Sequence, residues 1–258
     1  MSITFLIPSR NRFNDLLDSI NEIYNKALNK DNVYTIITIY KEDEETYKNI
    51  NEIKKINKNI SILVNEDNNM GYINMDVLWD KMANLAKTEL IALWTDRIKI
   101  LTENWDKYLF DYYNKNKKSY MVIRFNELKT WQWAYPITTL KLHKLIGIYK
   151  STAVDAYIRY IAEITNIDIV LKNVSILRIP QKDLKSTYLT SHNIKINKKN
   201  LFRKKKLIKQ ILDKDIIKIL KDKEYCKISN HTIDKKKWFN SQMIAGGPKI
   251  NKYKPKII

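Results

Sequence analysis

Two hydrophobic spacings alternate along the first hundred residues of the chain. The run SITFLIP, residues 2–8, is β-branched and aromatic and gives way after Pro8 to the polar stretch SRNRF, which predicts a strand followed by a turn. From Asn14 to Leu28 the apolar positions Leu16, Leu17, Ile20, Ile23, Tyr24 and Ala27 fall on one face of a helix. A second strand is expected over 33–40, running into the acidic sequence KEDEE, and a third over 60–64. After a polar loop that contains Gly71, the residues Val77, Leu78, Met82 and Leu85 return to helical spacing, and 90–94 reads as a fourth strand.

The second part of the chain is less regular. Residues 120–125 and 131–138 are expected as strands, 153–164 as a helix with Val154, Ile158 and Ile161 on one face, and 169–179 as one strand or two. From about Lys195 the composition shifts, and Leu207, Ile208, Ile211, Leu212, Ile216, Ile217 and Leu220 predict an amphipathic helix with a cationic face. The tail, with Gly246, Gly247 and Pro248, is expected to lack regular structure, and there is no internal repeat. Strands alternating with helices indicate an α/β fold with a mainly parallel sheet flanked by helices, here followed by a basic helical appendage. Open sheets of this kind bind ligands at the carboxyl ends of their strands. Four polar clusters fall at those ends: residues 9–12 (SRNR), 42–44 (EDE), 65–67 (NED) and 95–97 (TDR).

Composition narrows the class. A chain of 258 residues can bury a large core, and its single cysteine, Cys226, excludes an intramolecular disulfide and a cysteine-rich zinc site and suits a reducing compartment. No basic segment precedes the first apolar run, and no segment approaches the ~20 apolar residues of a membrane span, so a soluble, cytoplasmic protein is expected. The formal charge of +19 is unevenly placed. Residues 1–100 hold 13 Lys+Arg against 15 Asp+Glu, whereas residues 101–258 hold 34 against 13. Such a field attracts polyanions. Abundant Lys, Asn and Ile also fit an AT-rich coding bias, which leaves the asymmetry unexplained.

Taken in order, PSRNR after the first strand, the segment NNMGYINMDVLWDKMANLA and the segment ALWTDRIKILTENW resemble the GT-A glycosyltransferases, glycosyltransferase family 2 in particular. The resemblance covers about residues 3–190 and rests on motif order. It implies a GT-A, Rossmann-like catalytic domain over 1–192, with a nucleotide-sugar-binding half (1–99) and an acceptor half (100–192), and an appendage over 193–258. It further implies inverting transfer of a sugar from a nucleotide-activated donor, a UDP-sugar first, to an acceptor hydroxyl. In the family an Asp-x-Asp triplet holds a divalent cation, Mn or Mg, which needs hard oxygen ligands and stabilises the leaving diphosphate. The matching triplet here is Trp94-Thr95-Asp96, in which the first acid is absent. By resemblance Asp96 is the retained metal ligand, Thr95 lies beside the donor, and Arg97 is placed to pair with phosphate directly. Pro8, Ser9 and Arg10 match the turn that holds the nucleotide, Glu42 or Asp43 the acid that bonds the base, and Gly71 and Asn74 the segment beneath the sugar and diphosphate.

The resemblance assigns the general base to Asp155, in STAVDAYIRYIAE, with Arg159 one turn later on the same face. The residues alone also allow Asp155 as an N-cap or first-turn acid favoured by the helix dipole. His192 matches a late histidine that serves as a metal ligand in many GT-A enzymes; a lone histidine is more often a surface or packing residue. Gly71 serves either a positive-φ turn or the donor. Trp131, Trp133 and Tyr135 are either a sugar-stacking platform or core. Two acceptors compete. One is a saccharide or glycolipid, with the cationic helix around residues 202–220 peripheral at a membrane face. The other is DNA bearing hydroxylated or hydroxymethylated bases, where the basic half supplies phosphate contacts and the base is flipped. A reading from a different class is a non-enzymatic nucleic-acid-binding protein on a degenerate transferase scaffold, although no helix-turn-helix, zinc-finger or RNP signature is present.

Overall fold

A computed structural model describes residues 1–66, 75–117, 120–128, 135–146, 158, 162, 167–179 and 256–257. The first half builds four parallel strands, β1 (Ile3–Pro8), β2 (Val33–Tyr40), β3 (Ile60–Asn65) and β4 (Leu90–Leu93), in the order β3-β2-β1-β4. Helix α1 (Phe13–Asn25) connects β1 to β2, α2 (Glu44–Lys48) and α3 (Ile50–Ile56) lie between β2 and β3, and α4 (Met75–Leu85) precedes β4. Every residue of β1 is buried. Ile3, Phe5 and Ile7 pack with Leu16, Ile20 and Ile23 of α1 and Ile53 of α3, while Leu6 packs with Met82 and Ala83 of α4. Burial on both faces is why β1, β2 and β4 read as apolar runs rather than as alternation.

The sheet continues past β4 with β5 (Ile98–Ile100), β6 (Val122–Leu128), β7 (Ile137–Thr139) and β8 (Asp168–Arg178), giving the order β3-β2-β1-β4-β7-β6-β8-β5. Strand β7 is antiparallel to both β4 and β6, β6 and β8 are parallel, and β5 is antiparallel to β8. The result is one mixed, mainly parallel sheet. Because β7 separates β4 from β6, β8 runs in the same direction as β1 and β4, and its end at Arg178 reaches the same edge as Pro8 and Leu93. Helix α5 (Trp105–Lys115) covers the α1 side, and α6 (Leu140–Ile146) follows β7 on the α4 side.

Several sequence expectations change. Of the strand expected over 131–138, residues 131–134 lie outside the described residues, and the described part is strand only at Ile137–Thr139; the unexpected helix α6 follows, and Thr139 Oγ1 accepts from Leu142 N at 3.3 Å, a local bond that turns the chain into that helix. The region 169–179 is a single strand whose register against β6 shifts between Phe125 and Asn126, where residues 172–174 bulge out. The tail is not wholly irregular: Lys256 and Ile257 form β9, pairing in parallel with Ile169 and Val170 of β8, whose edge backbone groups there need a partner. Ile158 and Ala162 are helical and buried beside Met82, Ala83 and Leu142, as the spacing over 153–164 predicts for Ile158. The cationic helix and the rest of 180–255 lie outside the described residues.

Candidate functional site at the strand ends

The carboxyl edge of the parallel strands is assembled from three loops. The loop after β1 begins with Ser9, whose N–H donates to Thr38 O at 2.9 Å and extends the β1–β2 pairing past Pro8. Asn11 then takes φ 55°, a left-handed conformation that asparagine tolerates better than most residues. Its N–H donates to Asp43 Oδ2 at 2.6 Å. Asp43 also caps α2, accepting from Thr46 N at 3.2 Å and Thr46 Oγ1 at 2.7 Å. One buried carboxylate thus ties the β1 loop to the β2 loop. Arg10 forms an ion pair with Glu42 at 2.8 Å and lies 4.8 Å from the centroid of the Tyr40 ring, so the outer lip of the edge is a guanidinium over an aromatic face.

The third loop carries the acidic residue of the sequence motif. Trp94 N donates to Leu6 O at 3.0 Å, and Ser19 of α1 donates to Ile98 O at 2.9 Å, pinning both flanks of the turn 95–97. Beneath it the Trp94 ring meets Phe5 edge-on at 5.1 Å and Tyr135 at 5.9 Å, a rigid apolar floor. Asp96 is 2 % exposed. Its Oδ2 accepts from Ser9 Oγ at 2.8 Å, and its Oδ1 pairs with Arg12 Nη1 at 3.3 Å. Burial raises the carboxyl above the usual aspartate range, opposed by Arg12, the Ser9 hydrogen bond and the charge of Arg97. Arg97 is half-buried; burial lowers its pKa, and repulsion from Arg12 and Arg178 lowers it further. Arg178, at the end of β8, lies 5.9 Å from the Tyr135 ring centroid. Burial pushes the Tyr135 hydroxyl up to about 12, against the charges of Arg178 and Arg97 and a hydrogen bond with Thr95.

Pro8, Ser9, Arg10, Asp43, Thr95, Asp96 and Arg97 therefore all lie on one edge of the sheet. Gly71, Asn74, Trp131, Trp133, Asp155 and His192 lie outside the described residues. Tyr135 is core, 7 % exposed and packed on Trp94. Two residues to which sequence reasoning gave no role join the cluster. Arg12 was visible within the polar run 9–12, but its pairing with Asp96 depends on β1 and β4 being neighbours; Arg178 offered no local signal.

The residues described around Asp96 do not fit a divalent cation. Both carboxylate oxygens already accept from Ser9 and Arg12, Arg97 stands next to them, and no group of three or more His, Cys, Asp or Glu suited to a metal occurs among the described residues. The chemistry of the edge suits an anion. A separate pocket of about 220 Å³, lined by Tyr108, Asp111, Tyr112, Lys115, Leu171 and Asn173, lies between α5 and β8 and shares no residue with this cluster.

No protein-family model and no curated protein sequence matches the chain. Its structure is similar to that of S. aureus TarS 1–349 in complex with UDP-GlcNAc, with a TM-score of 0.58 and 12 % identity over 86 % of this chain and 73 % of that one. The fold is GT-A. Against the longer S. aureus TarS chain the TM-score is 0.51 at 10 % identity, and the present chain spans 36 % of that chain's length. A third GT-A relative in structure is the mannosyltransferase PcManGT from Pyrobaculum calidifontis in complex with GDP-Man and Mn2+, with a TM-score of 0.56 and 9 % identity over 72 % of this chain and 59 % of that one.

Proposed function

We propose that the chain is a nucleotide-sugar-dependent glycosyltransferase that inverts the configuration of the transferred sugar. The observation that carries this reading is the guanidinium-rich cluster around Asp96 at the carboxyl edge of a GT-A sheet, an arrangement suited to a diphosphate. The TarS and PcManGT structures, described as complexes with UDP-GlcNAc and GDP-Man, support the same class of donor. To Pro8, Ser9 and Arg10 we assign the nucleotide, and to Gly71 and Asn74, by the resemblance alone, the sugar and diphosphate. Of the two acids after β2, we assign to Asp43 the geometry of the loop, because its carboxylate is engaged by Asn11 and Thr46, and the base contact to Glu42, whose carboxylate pairs with Arg10.

In the transfer the acceptor oxygen bonds to the anomeric carbon while the bond from that carbon to the diphosphate oxygen breaks. The electron pair departs on the nucleoside diphosphate, and the hydroxyl proton passes to Asp155, the proposed base. We assign the catalytic domain to 1–192 and a basic appendage to 193–258. No helix among the described residues is long and apolar enough to cross a membrane. The acceptor is a saccharide or glycolipid hydroxyl; the 34 Lys+Arg against 13 Asp+Glu over residues 101–258 favour, as a second reading, a hydroxylated base of DNA.

Release of UDP or GDP from UDP-GlcNAc, UDP-Glc and GDP-Man, measured with oligosaccharide, glycolipid and hydroxymethylated DNA acceptors, tests the reading. Asp155→Asn is expected to lower kcat by about a hundredfold or more while donor affinity stays within about twofold. Unaltered turnover in that variant, or no turnover of any donor by the native chain, refutes it.

A further inference from the structure

Three guanidiniums, Arg12, Arg97 and Arg178, meet at the strand-end cluster. Asp96 is engaged by Ser9 and Arg12, yet two more guanidiniums share the edge. Strands β5 and β8 pair with Ile98 opposite Arg178, and Ile179 N donates to Arg97 O at 2.9 Å, so the backbone fixes Arg97, in the turn just before β5, next to the end of β8 at Arg178. Arg178 lies over Tyr135, Tyr135 packs on Trp94, and Trp94 leads directly into Thr95 and Asp96. From the other side Arg12, at the N-cap of α1, reaches Asp96. Glu127 acts on Tyr135 from β6, so the neighbourhood is not without a second acid. At Arg97, nonetheless, Arg12 and Arg178 repel more strongly than Asp96 attracts. The guanidinium fork matches phosphate oxygens, and its five N–H donors allow it to engage a diphosphate beside its contacts within the fold.

Resting on the glycosyltransferase reading above, we propose that Arg12, Arg97 and Arg178 neutralise the donor's diphosphate themselves, in place of a bridging divalent cation, so that transfer proceeds without metal. As the anomeric carbon–oxygen bond breaks, the charge that develops on the departing diphosphate is met by guanidinium N–H groups already in position. Asp96 is then a positioning residue: it holds Arg12 and, through Ser9, the β1 loop.

Calorimetric titration of the full chain with UDP and with GDP, first in EDTA and then in Mn2+, tests the proposal. One of the two diphosphates is expected to bind in EDTA, with an affinity that Mn2+ alters by no more than about twofold. Arg97→Ala and Arg178→Ala should each weaken it by about tenfold or more, with Arg→Lys intermediate and the affinity for uridine or guanosine unchanged. Melting temperatures of the variants report whether they are folded, and the EDTA arm on the native chain decides the matter where they are not. Binding seen only with Mn2+ overturns the proposal and leaves the glycosyltransferase reading standing. Alanine variants that bind the diphosphate as the native chain does overturn it as well. Absence of diphosphate binding under both conditions refutes the glycosyltransferase reading itself, and the metal-free transfer with it.

Discussion

Replacing Asp96 by Asn separates a metal ligand from a positioning residue, because the two roles predict opposite changes. The attraction between Asp96 and Arg12 at 3.3 Å is about 5 kcal/mol at an effective dielectric of about 20. Burial nevertheless holds the Asp96 carboxyl above its ordinary pKa, so the cost of desolvating the charge exceeds that attraction. Asparagine removes the desolvation cost and keeps an oxygen for Ser9 Oγ. Arg12, with a side chain 18 % exposed, can be rehydrated. The net loss should therefore be about 1 kcal/mol, well below the 3–5 kcal/mol of a fully buried broken pair, and Tm should fall by about 2–4 °C. Removing one negative charge from beside a bound phosphate is worth about 1–3 kcal/mol, so UDP or GDP in EDTA should bind about tenfold more tightly to Asp96→Asn than to the native chain. Calorimetry and thermal melting in one low-salt buffer read both quantities. Loss of nucleotide affinity in the variant, restored by excess Mn2+, would refute the reasoning and return Asp96 to the role of metal ligand.

Two further predictions concern the scaffold. His143, 4 % exposed on α6, has its pKa lowered to about 4 by burial first and by Lys144 second. The unfolded chain binds this proton near pH 6.5 and the folded chain only near 4, so stability is lost as pH falls through that window, by up to about 3 kcal/mol. Urea unfolding at pH 7 and pH 4.5 should show that loss shrinking in His143→Gln; an equal loss in both chains would exclude His143 as its source. Asp106, 1 % exposed at the start of α5, accepts from Leu28 N at 2.7 Å and Asn29 N at 2.9 Å. Asp106→Ala orphans both donors and should cost about 2–4 kcal/mol, lowering Tm by about 5–10 °C without moving nucleotide affinity; a shift under about 2 °C would contradict the burial argument.

The donor half of the fold was legible in the sequence for a physical reason. A parallel strand covered on both faces must be apolar throughout, and here each such run is bounded by a polar turn: Pro8 and Ser9, Tyr40 and the acidic run after it, Leu93 and Thr95. The acceptor half obscured the same logic. β7 is three residues long and is held between β4 and β6 by antiparallel pairing, so its neighbours rather than its own pattern define it. Helix α6, at seven residues, is too short to display a hydrophobic period clearly. β9 exists only because β8 leaves an edge for it, which no local window contains.

The candidate site divides in the same way. Ser9 and Asp96 were recognisable as strand-end residues, but their hydrogen bond requires β1 and β4 to be adjacent, a fact of strand order rather than of spacing. Arg178 is harder still: only the insertion of antiparallel β7 orients β8 so that its end meets Arg97. This distinction bears on how the motif itself is to be read. A sequence comparison counts carboxylates, and with one acid where Asp-x-Asp has two, Trp94-Thr95-Asp96 looks like a weakened metal site. The folded chain counts charges in space, and there the same aspartate meets Arg12 from the start of α1 and Arg97 beside it in the turn after β4. On the metal-free proposal, a divalent ion would have to displace Arg12 from the Asp96 carboxylate, whereas a diphosphate meets guanidinium donors. The missing acid then removes a charge that would have opposed the anion, and the triplet's incompleteness fits an edge specialised for phosphate.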